Sequence, residues 1–423
     1  MRSTMHLVGR VGSIAIACAI SAPLLVSTTA LAQQRVVARS FVGAPGGGGS
    51  NQISTRSVEK YARLLKLTED QAETVKALHE GYQAAFRDAS TDMQKDLEEA
   101  RQAFEETEDA SVFAERFPAA RQRFRERTTK AETEFFNDVK QILTESQLAA
   151  WPSVERARRR ETVLRGGTLS GESVDLTEIV QGLNVSEPAA DVVEVLNQYE
   201  VDLDRALLAK KAMLDAQGEF DFKPGAIDLS DIQKRSADAK EAGGKIKNVN
   251  EEYARKIEQL LPEDVRPAFG KAVKRQSFPR VYRPSQVSKA IDSALKFDDL
   301  DASQKDTLRS LRDSYEREVS PLNDAWAAAI EKDEQDPNNM ALGDGSMQIK
   351  IGGPGGEEDE SPLAKARKAR REFDEKTRER LNAALSPAQR ERLPKPTPGG
   401  AMGEMETEDE DVVVAPRGVF ISR

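Results

Sequence analysis

Side chains that commonly do chemistry are scarce in this chain of 423 residues. It has two His, His6 and His79, and one Cys, Cys18. A His/Cys zinc site, a Cys-x-x-Cys redox centre and a disulfide framework all need more of these residues. Beyond residue 32 only His79 remains as an imidazole base, so no Ser/His or Cys/His nucleophile can be assembled. Carboxylates are so numerous that a pair chosen by eye carries no weight for acid–base catalysis. Asp298-Asp299-Leu300-Asp301 and Asp333-Glu334-Gln335-Asp336 lack the Gly and Glu of a calcium loop. Gly352-Gly353-Pro354-Gly355-Gly356 lacks the Lys-Ser/Thr ending of a phosphate loop. No catalytic, cofactor or metal residue is assigned, and neither enzyme activity nor a cofactor is expected. His79, next to Leu78 in a helical pattern, is expected to be solvated or half-packed.

What recurs is a pair of short motifs. Leu67-Thr68 with Gln71 and Leu143-Thr144 with Gln147 both read Leu-Thr-x-x-Gln, 76 residues apart. Related copies stand at Leu300-Asp301 with Gln304 and at Leu385-Ser386 with Gln389, 85 residues apart. A shift of 118 residues takes the first pair to Leu183-Asn184-Val185-Ser186-Glu187 and Leu261-Pro262-Glu263-Asp264. The same shift sets Val193 on Val75, Leu196 on Leu78, Phe269 on Trp151 and Arg283 on Arg165. Thr68 with Gln71 is a capping box: the hydroxyl accepts from the N3 amide and the Gln side chain reaches back. Ser386 and Thr144 can do the same, with each Leu as a hydrophobic staple, so the motif is explained by capping.

Between the motifs the pattern is helical. Val75, Leu78, Tyr82, Ala85, Ala89, Met93, Leu97, Ala100 and Phe104 keep spacings of three and four, and so do Ala120, Phe124, Thr128, Ala131, Phe135, Val139 and Ile142. This is the narrow seam of one long helix on another. The second unit offers Val193, Leu196, Leu203, Leu207 and Leu214. The third offers Leu308, Leu311, Tyr315, Leu322, Trp326 and Ile330, with Pro321 expected to kink or split that helix. Met347–Ile351 is the best strand candidate, and isolated. The expected fold is all-α: three tandem long helical hairpins over 53–165, 172–283 and 285–394, the last with a Gly- and acid-rich insertion at 341–361. Residues 33–52 read as a flexible Gly-rich linker and 395–423 as a disordered acidic tail.

Charge and targeting complete the reading. Arg2 and Arg10 precede an apolar run from Val11 to Val26, and Ala30-Leu31-Ala32 offers small residues for a signal peptidase. Residues 1–32 read as a signal peptide cleaved before Gln33, with lipidation at Cys18 as the alternative. No later run is long and apolar enough to span a bilayer. Lys and Arg number 62 against 72 Asp and Glu, net −10, which gives no support for nucleic-acid binding. Basic clusters follow two of the units: Arg156, Arg158, Arg159, Arg160 and Arg165, then Lys271, Lys274, Arg275, Arg280 and Arg283. They read either as solvated faces or as a rim that attracts acidic client segments.

Leu65-Lys66-Leu67-Thr68-Glu69-Asp70-Gln71, a helical hairpin, then Ile142-Leu143-Thr144-Glu145-Ser146-Gln147 resembles the Spy/CpxP family of periplasmic proteins. That resemblance implies a periplasmic, non-enzymatic protein: an ATP-independent holding chaperone or envelope-stress modulator. Its partners would be unfolded or partly folded envelope proteins, or other envelope proteins, and a homodimer is possible. The chain departs from the family in having three units in one chain, a net acidic charge, and Pro188-Ala189 where Asp70-Gln71 stand. The alternative function is a structural or scaffold protein of the bacterial envelope.

Overall fold

The computed structural model describes residues 36–40, 52–107, 111–165, 167–183, 189–218, 229–337, 339–342, 347–351 and 361–394; for 36–40, 341–342 and 347–351 it describes the backbone. Residues 1–32, expected to be a signal peptide, most of the 33–52 and 341–361 segments, and the 395–423 tail lie outside these. Most described residues are helical, and the fold is all-α with one small sheet.

The chain begins with strand β1 (Val36–Ser40) and helices α1 (Thr55–Leu65), α2 (Glu69–Thr107), α3 (Ser111–Gln141), α4 (Glu145–Ala149) and α5 (Trp151–Arg159). A π-helical turn, Arg160–Leu164, extends α5. Next come α6 (Leu176–Gly182), α7 (Ala190–Gln217), α8 (Leu229–Leu260), α9 (Arg266–Ser277) and α10 (Pro279–Tyr282). The last group holds α11 (Gln286–Ala294), α12 (Ala302–Glu334), β2 (Asn339–Leu342), β3 (Met347–Ile351), α13 (Pro362–Ala384) and α14 (Pro387–Glu391).

Each group has its own apolar core. Val75, Tyr82 and Phe86 of α2 meet Ala131, Phe135 and Val139 of α3, with α1 and α5 closing the side. Leu203 and Leu207 of α7 meet Ile246, Tyr253 and Ile257 of α8. Leu308, Leu311 and Tyr315 of α12 meet Leu381 of α13. Arg123 pairs with Asp96 and Arg127 with Asp92, so α2 and α3 run antiparallel. At about 1.5 Å per residue, α2 is about 58 Å long. A helix that long with so narrow an apolar stripe is held by packing more than by propensity.

Four expectations change. Three strands form where one isolated strand was expected: β1 and β2 both pair antiparallel with β3, in the order β1-β3-β2. Residues 36–40 are therefore strand, not linker, because β3 offers two open edges to them and to β2. Pro321 does not split α12, which runs on from Ala302 to Glu334; one missing N–H is tolerated in a helix held along its length by α13. In α7 the buried set is Val192, Tyr199, Leu203, Leu207 and Lys210, and Val193 is exposed. The match to α2 therefore runs at 117 residues, setting Val192 on Val75, Tyr199 on Tyr82 and Lys210 on Met93. A one-residue slip turns a helix by about 100°, enough to swap inside for outside. Finally, 167–171, expected as a separator, is packed. The following Glu172 is wholly buried.

Lys210 explains that packing. Its Nζ lies 2.5 Å from Glu172 Oε1, and both side chains are buried. Glu172 Oε2 accepts from the Thr168 and Leu169 amides at 2.8 and 3.1 Å. Asn250 Nδ2 donates to the Gly171 and Glu172 carbonyls. Gly243 of α8 leaves the space, because a Cβ there would stand 2.5 Å from Glu172 Oε2. Removing one partner of a buried ion pair strands the other charge, at a cost of about 3–5 kcal/mol. Lys210→Met, which restores the Met of α2, should therefore lower stability by about that amount in urea denaturation. Adding Glu172→Gln should recover a large part of the loss. An additive double variant would contradict the pairing.

Candidate functional site

The paired motifs come together at the base of the first long pair. α1 ends at Leu65, and Lys66 takes a left-handed turn with φ of 50°. Its carbonyl thereby faces α4. Thr68 caps α2: the Gln71 amide donates to Thr68 Oγ1 at 3.3 Å, and the Thr68 amide donates to Gln71 Oε1 at 3.1 Å. Thr144 caps α4 with Gln147 in the same way. Both boxes form as the sequence predicts, and both glutamines also reach further. Gln71 Nε2 donates to Gln147 Oε1 at 2.9 Å and to the Ile142 carbonyl at 2.8 Å. Gln147 Nε2 donates to Gln71 Oε1 at 2.8 Å and to the Lys66 carbonyl at 3.3 Å. Each amide so uses two donors and two acceptors, its full capacity. Leu67 and Leu143 pack against the core beneath.

The third group repeats the clasp. Gln304 Nε2 donates to Gln389 Oε1 at 3.0 Å and to the Ala384 carbonyl at 3.1 Å. Gln389 Nε2 donates to the Asp299 carbonyl at 3.3 Å and to Gln304 Oε1 at 3.5 Å. Asp301 and Ser386 are the caps, and Leu300 and Leu385 are buried. In the middle group a shift of 118 residues sets Ala189 and Val265 on the two glutamines, so both halves of the clasp are missing together.

A second recurrence joins each long pair to the short helix before it. The Ile53 amide donates to Tyr82 Oη at 3.0 Å, while His79 Nε2 sits 2.8 Å from the Ile53 carbonyl. Tyr199 Oη takes the Leu176 amide and donates to the Val174 carbonyl. Tyr315 Oη lies 2.6 Å from Ser285 Oγ, the cap of α11. Burial pushes the Tyr82 and Tyr315 phenols up to about 12, so both stay protonated. His79 is buried, contrary to the expectation of a solvated or half-packed ring. The carbonyl of Ile53 gives that ring a partner inside the core, which sequence spacing could not reveal. The match of Tyr315 to Tyr82 was the visible signal for these pins.

The two basic clusters part company. Arg158 donates to both oxygens of Glu132, at 2.9 and 2.6 Å. Tyr61 Oη donates to Glu161 beside it at 2.6 Å. Arg159 grips Asp204 at 2.6 and 2.9 Å. Arg160 reaches Asp175 and Glu200 at 3.2 and 2.9 Å, and Arg156 approaches Glu200. Arg158 and Arg160 are buried and Arg156 and Arg159 half-buried; Arg165 is exposed. Burial alone would depress the Arg158 and Arg160 guanidiniums, but Glu132, and Asp175 with Glu200, hold them above the ordinary value. The first cluster is therefore the joint between α5 and α7, not an exposed rim, because carboxylates from α3, α6 and α7 surround it. In the second cluster Lys271, Lys274, Arg275, Arg280 and Arg283 are all exposed. Lys274 and the Tyr282 hydroxyl both donate to Asp324 Oδ1 of α12, at 2.9 and 2.6 Å. Ser170 bonds Glu334 and Lys247 bonds Glu331, further along the same helix.

The remaining surface feature is apolar. Val193, Val201 and Leu208 of α7 are 43, 42 and 46% exposed. Their spacings of eight and seven residues put them on one helix face. Among the described residues no group of three His, Cys, Asp or Glu is placed to hold a metal ion, and no helix is long and apolar enough to cross a membrane.

Residues 44–151 are similar to a protein family described as "Domain of unknown function (DUF4890)", a match to about a quarter of the chain. The match ends at Trp151 and so takes in both motifs of the first clasp. No curated protein and no solved structure matches the chain.

Two outcomes follow from this geometry. Gln71→Glu removes both donors and sets a carboxylate against the Ile142 and Gln147 oxygens. It should cost about 1–3 kcal/mol near neutral pH. Protonation restores one donor and the burial raises that carboxyl, so the loss should shrink as pH falls below about 5 in denaturant titrations. The Tyr282 and Lys274 hydrogen bonds hold Asp324 below its ordinary 3.8. A depressed carboxyl stabilises the fold above its ordinary value and stops doing so as pH falls through the lowered one. Hydrogen exchange in α10 should therefore accelerate below about pH 3.8, and Asp324→Asn should show the fast rate at every pH.

Proposed function

We propose that the chain is an exported, non-enzymatic periplasmic protein that holds unfolding envelope proteins without ATP, in the manner of the Spy/CpxP family. In this reading α2–α3, α7–α8 and α12–α13 are three tandem hairpins of one kind. The carrying observation is the apolar strip of Val193, Val201 and Leu208, about 22 Å long at 1.5 Å per residue. Single exposed apolar residues are ordinary, but an aligned strip is a place for weak apolar contact. Glu194, Gln198 and Arg205 are exposed beside it. A shallow strip with a charged border suits brief contact with many apolar segments and rapid release. The reciprocal glutamine clasps support the resemblance by giving the paired motifs one shared structural task.

The second reading, an envelope scaffold, is favoured by the joints. The Arg158–Glu132 and Arg160–Asp175 pairs are buried or half-buried and tie neighbouring helix groups together, as a rigid spacer needs.

Light scattering of an unfolding client, without ATP, separates the two. Near-stoichiometric suppression by the full chain is expected, together with its loss in Val193→Ser/Val201→Ser/Leu208→Ser. These positions are exposed, so the variant should keep the helical circular dichroism of the parent. Absence of suppression across several clients would leave the scaffold.

A further inference from the structure

The second basic segment belongs to a longer acid-free stretch. From Val265 to Ile291 there are seven cations, Arg266, Lys271, Lys274, Arg275, Arg280, Arg283 and Lys289, and no Asp or Glu. The chain as a whole is net −10, so this stretch stands out. On α9, Lys271, Lys274 and Arg275 share one exposed face, at spacings of three and four, opposite buried Phe269. Arg280 and Arg283 continue it, exposed, on either side of buried Val281. The contrast with the first cluster is physical. Arg158 and Arg160 are buried on carboxylates, whereas α9 and α10 present their cations to solvent, with Asp324 on Lys274.

The complementary charge lies in the same chain. Glu404–Asp411 carries six acids in eight residues. The described chain ends at Pro394, after Leu393 enters the third core and Arg392 pairs with Asp299. Ten residues separate Pro394 from Glu404, a span of at most about 34 Å, and seventeen reach Asp411, at most about 58 Å. The basic face is anchored at Asp324, 23 residues along α12 from its cap Asp301, or about 34 Å. Tether and distance match.

We infer that the Glu404–Asp411 run docks on the Lys271–Arg283 face of α9 and α10 as an intramolecular anionic cover. A tethered acidic segment acts at an effective concentration on the order of 1 mM, so it excludes free polyanions of weaker affinity. The contact is between solvated charges, and salt screens it. The inference does not rest on holding activity: it stands or falls on the tail and the patch.

Carbodiimide crosslinking of the full chain, read by mass spectrometry of the monomer, tests it. Crosslinks from Glu404–Asp411 to Lys271 and Lys274 are expected at low salt, and about fivefold fewer at 0.5 M salt. A chain with all six acids changed to Gln or Asn keeps every described residue and serves as the second arm. It should bind a labelled decaglutamate peptide about tenfold more tightly than the parent. Arg275→Glu/Arg280→Glu should abolish that gain. Tail crosslinks spread evenly over lysines elsewhere, or equal peptide affinity in parent and neutralised chain, would overturn the cover. So would anionic vesicles binding the face equally well in both.

Discussion

Buried cations in this protein must keep their carboxylates, and that requirement holds the separate cores together. Each long helix pair has its own apolar seam, and no apolar cluster spans two pairs. Continuity comes from charge. Arg158 and Arg160 meet carboxylates of α3, α6 and α7, and Glu172 meets Lys210 between α7 and α8. The loop that carries Glu172 also carries Ser170, which bonds Glu334 of α12. One short segment thus touches the second and third groups. Breaking such a pair leaves a buried charge, so the joints resist opening far more than exposed ion pairs would.

The glutamine clasp solves a different problem. A helix pair exposes unpaired backbone groups at its base, and capping boxes satisfy only part of them. Two amides facing each other fill every remaining donor and acceptor, and they lock the start of one long helix to the end of its partner. The middle group has neither glutamine, and the polar plug of Glu172, Lys210 and Asn250 lies elsewhere in the same pair. With Ala189 and Val265 at the two positions, neither side is left with an unpaired amide. A single loss would have left one.

The surface divides by what remains unpartnered. The first basic cluster is absorbed into a joint, so its charge is not offered to any partner. The second faces solvent beside α12, and α7 turns an apolar strip outward. These two surfaces come from different helices and attract different chemistry, one anionic and one apolar.

Much of this was legible in the residues. Spacings of three and four in α2 and α3, the Leu-Thr-x-x-Gln caps and the helix from Glu69 follow from local rules of period and capping, which act within a few residues. The sequence by itself determined the all-α class and the four cap sites. Only the tertiary structure decided what the caps' glutamines do across 76 residues, because a hydrogen bond between remote side chains leaves no local pattern. It also decided the face of α7, since a one-residue slip between repeats exchanges Val192 for Val193 without disturbing the apolar rhythm. The fate of Arg156 to Arg160 was settled the same way: a run of arginines reads alike whether solvent or carboxylates surround it, and only packing supplies the partners.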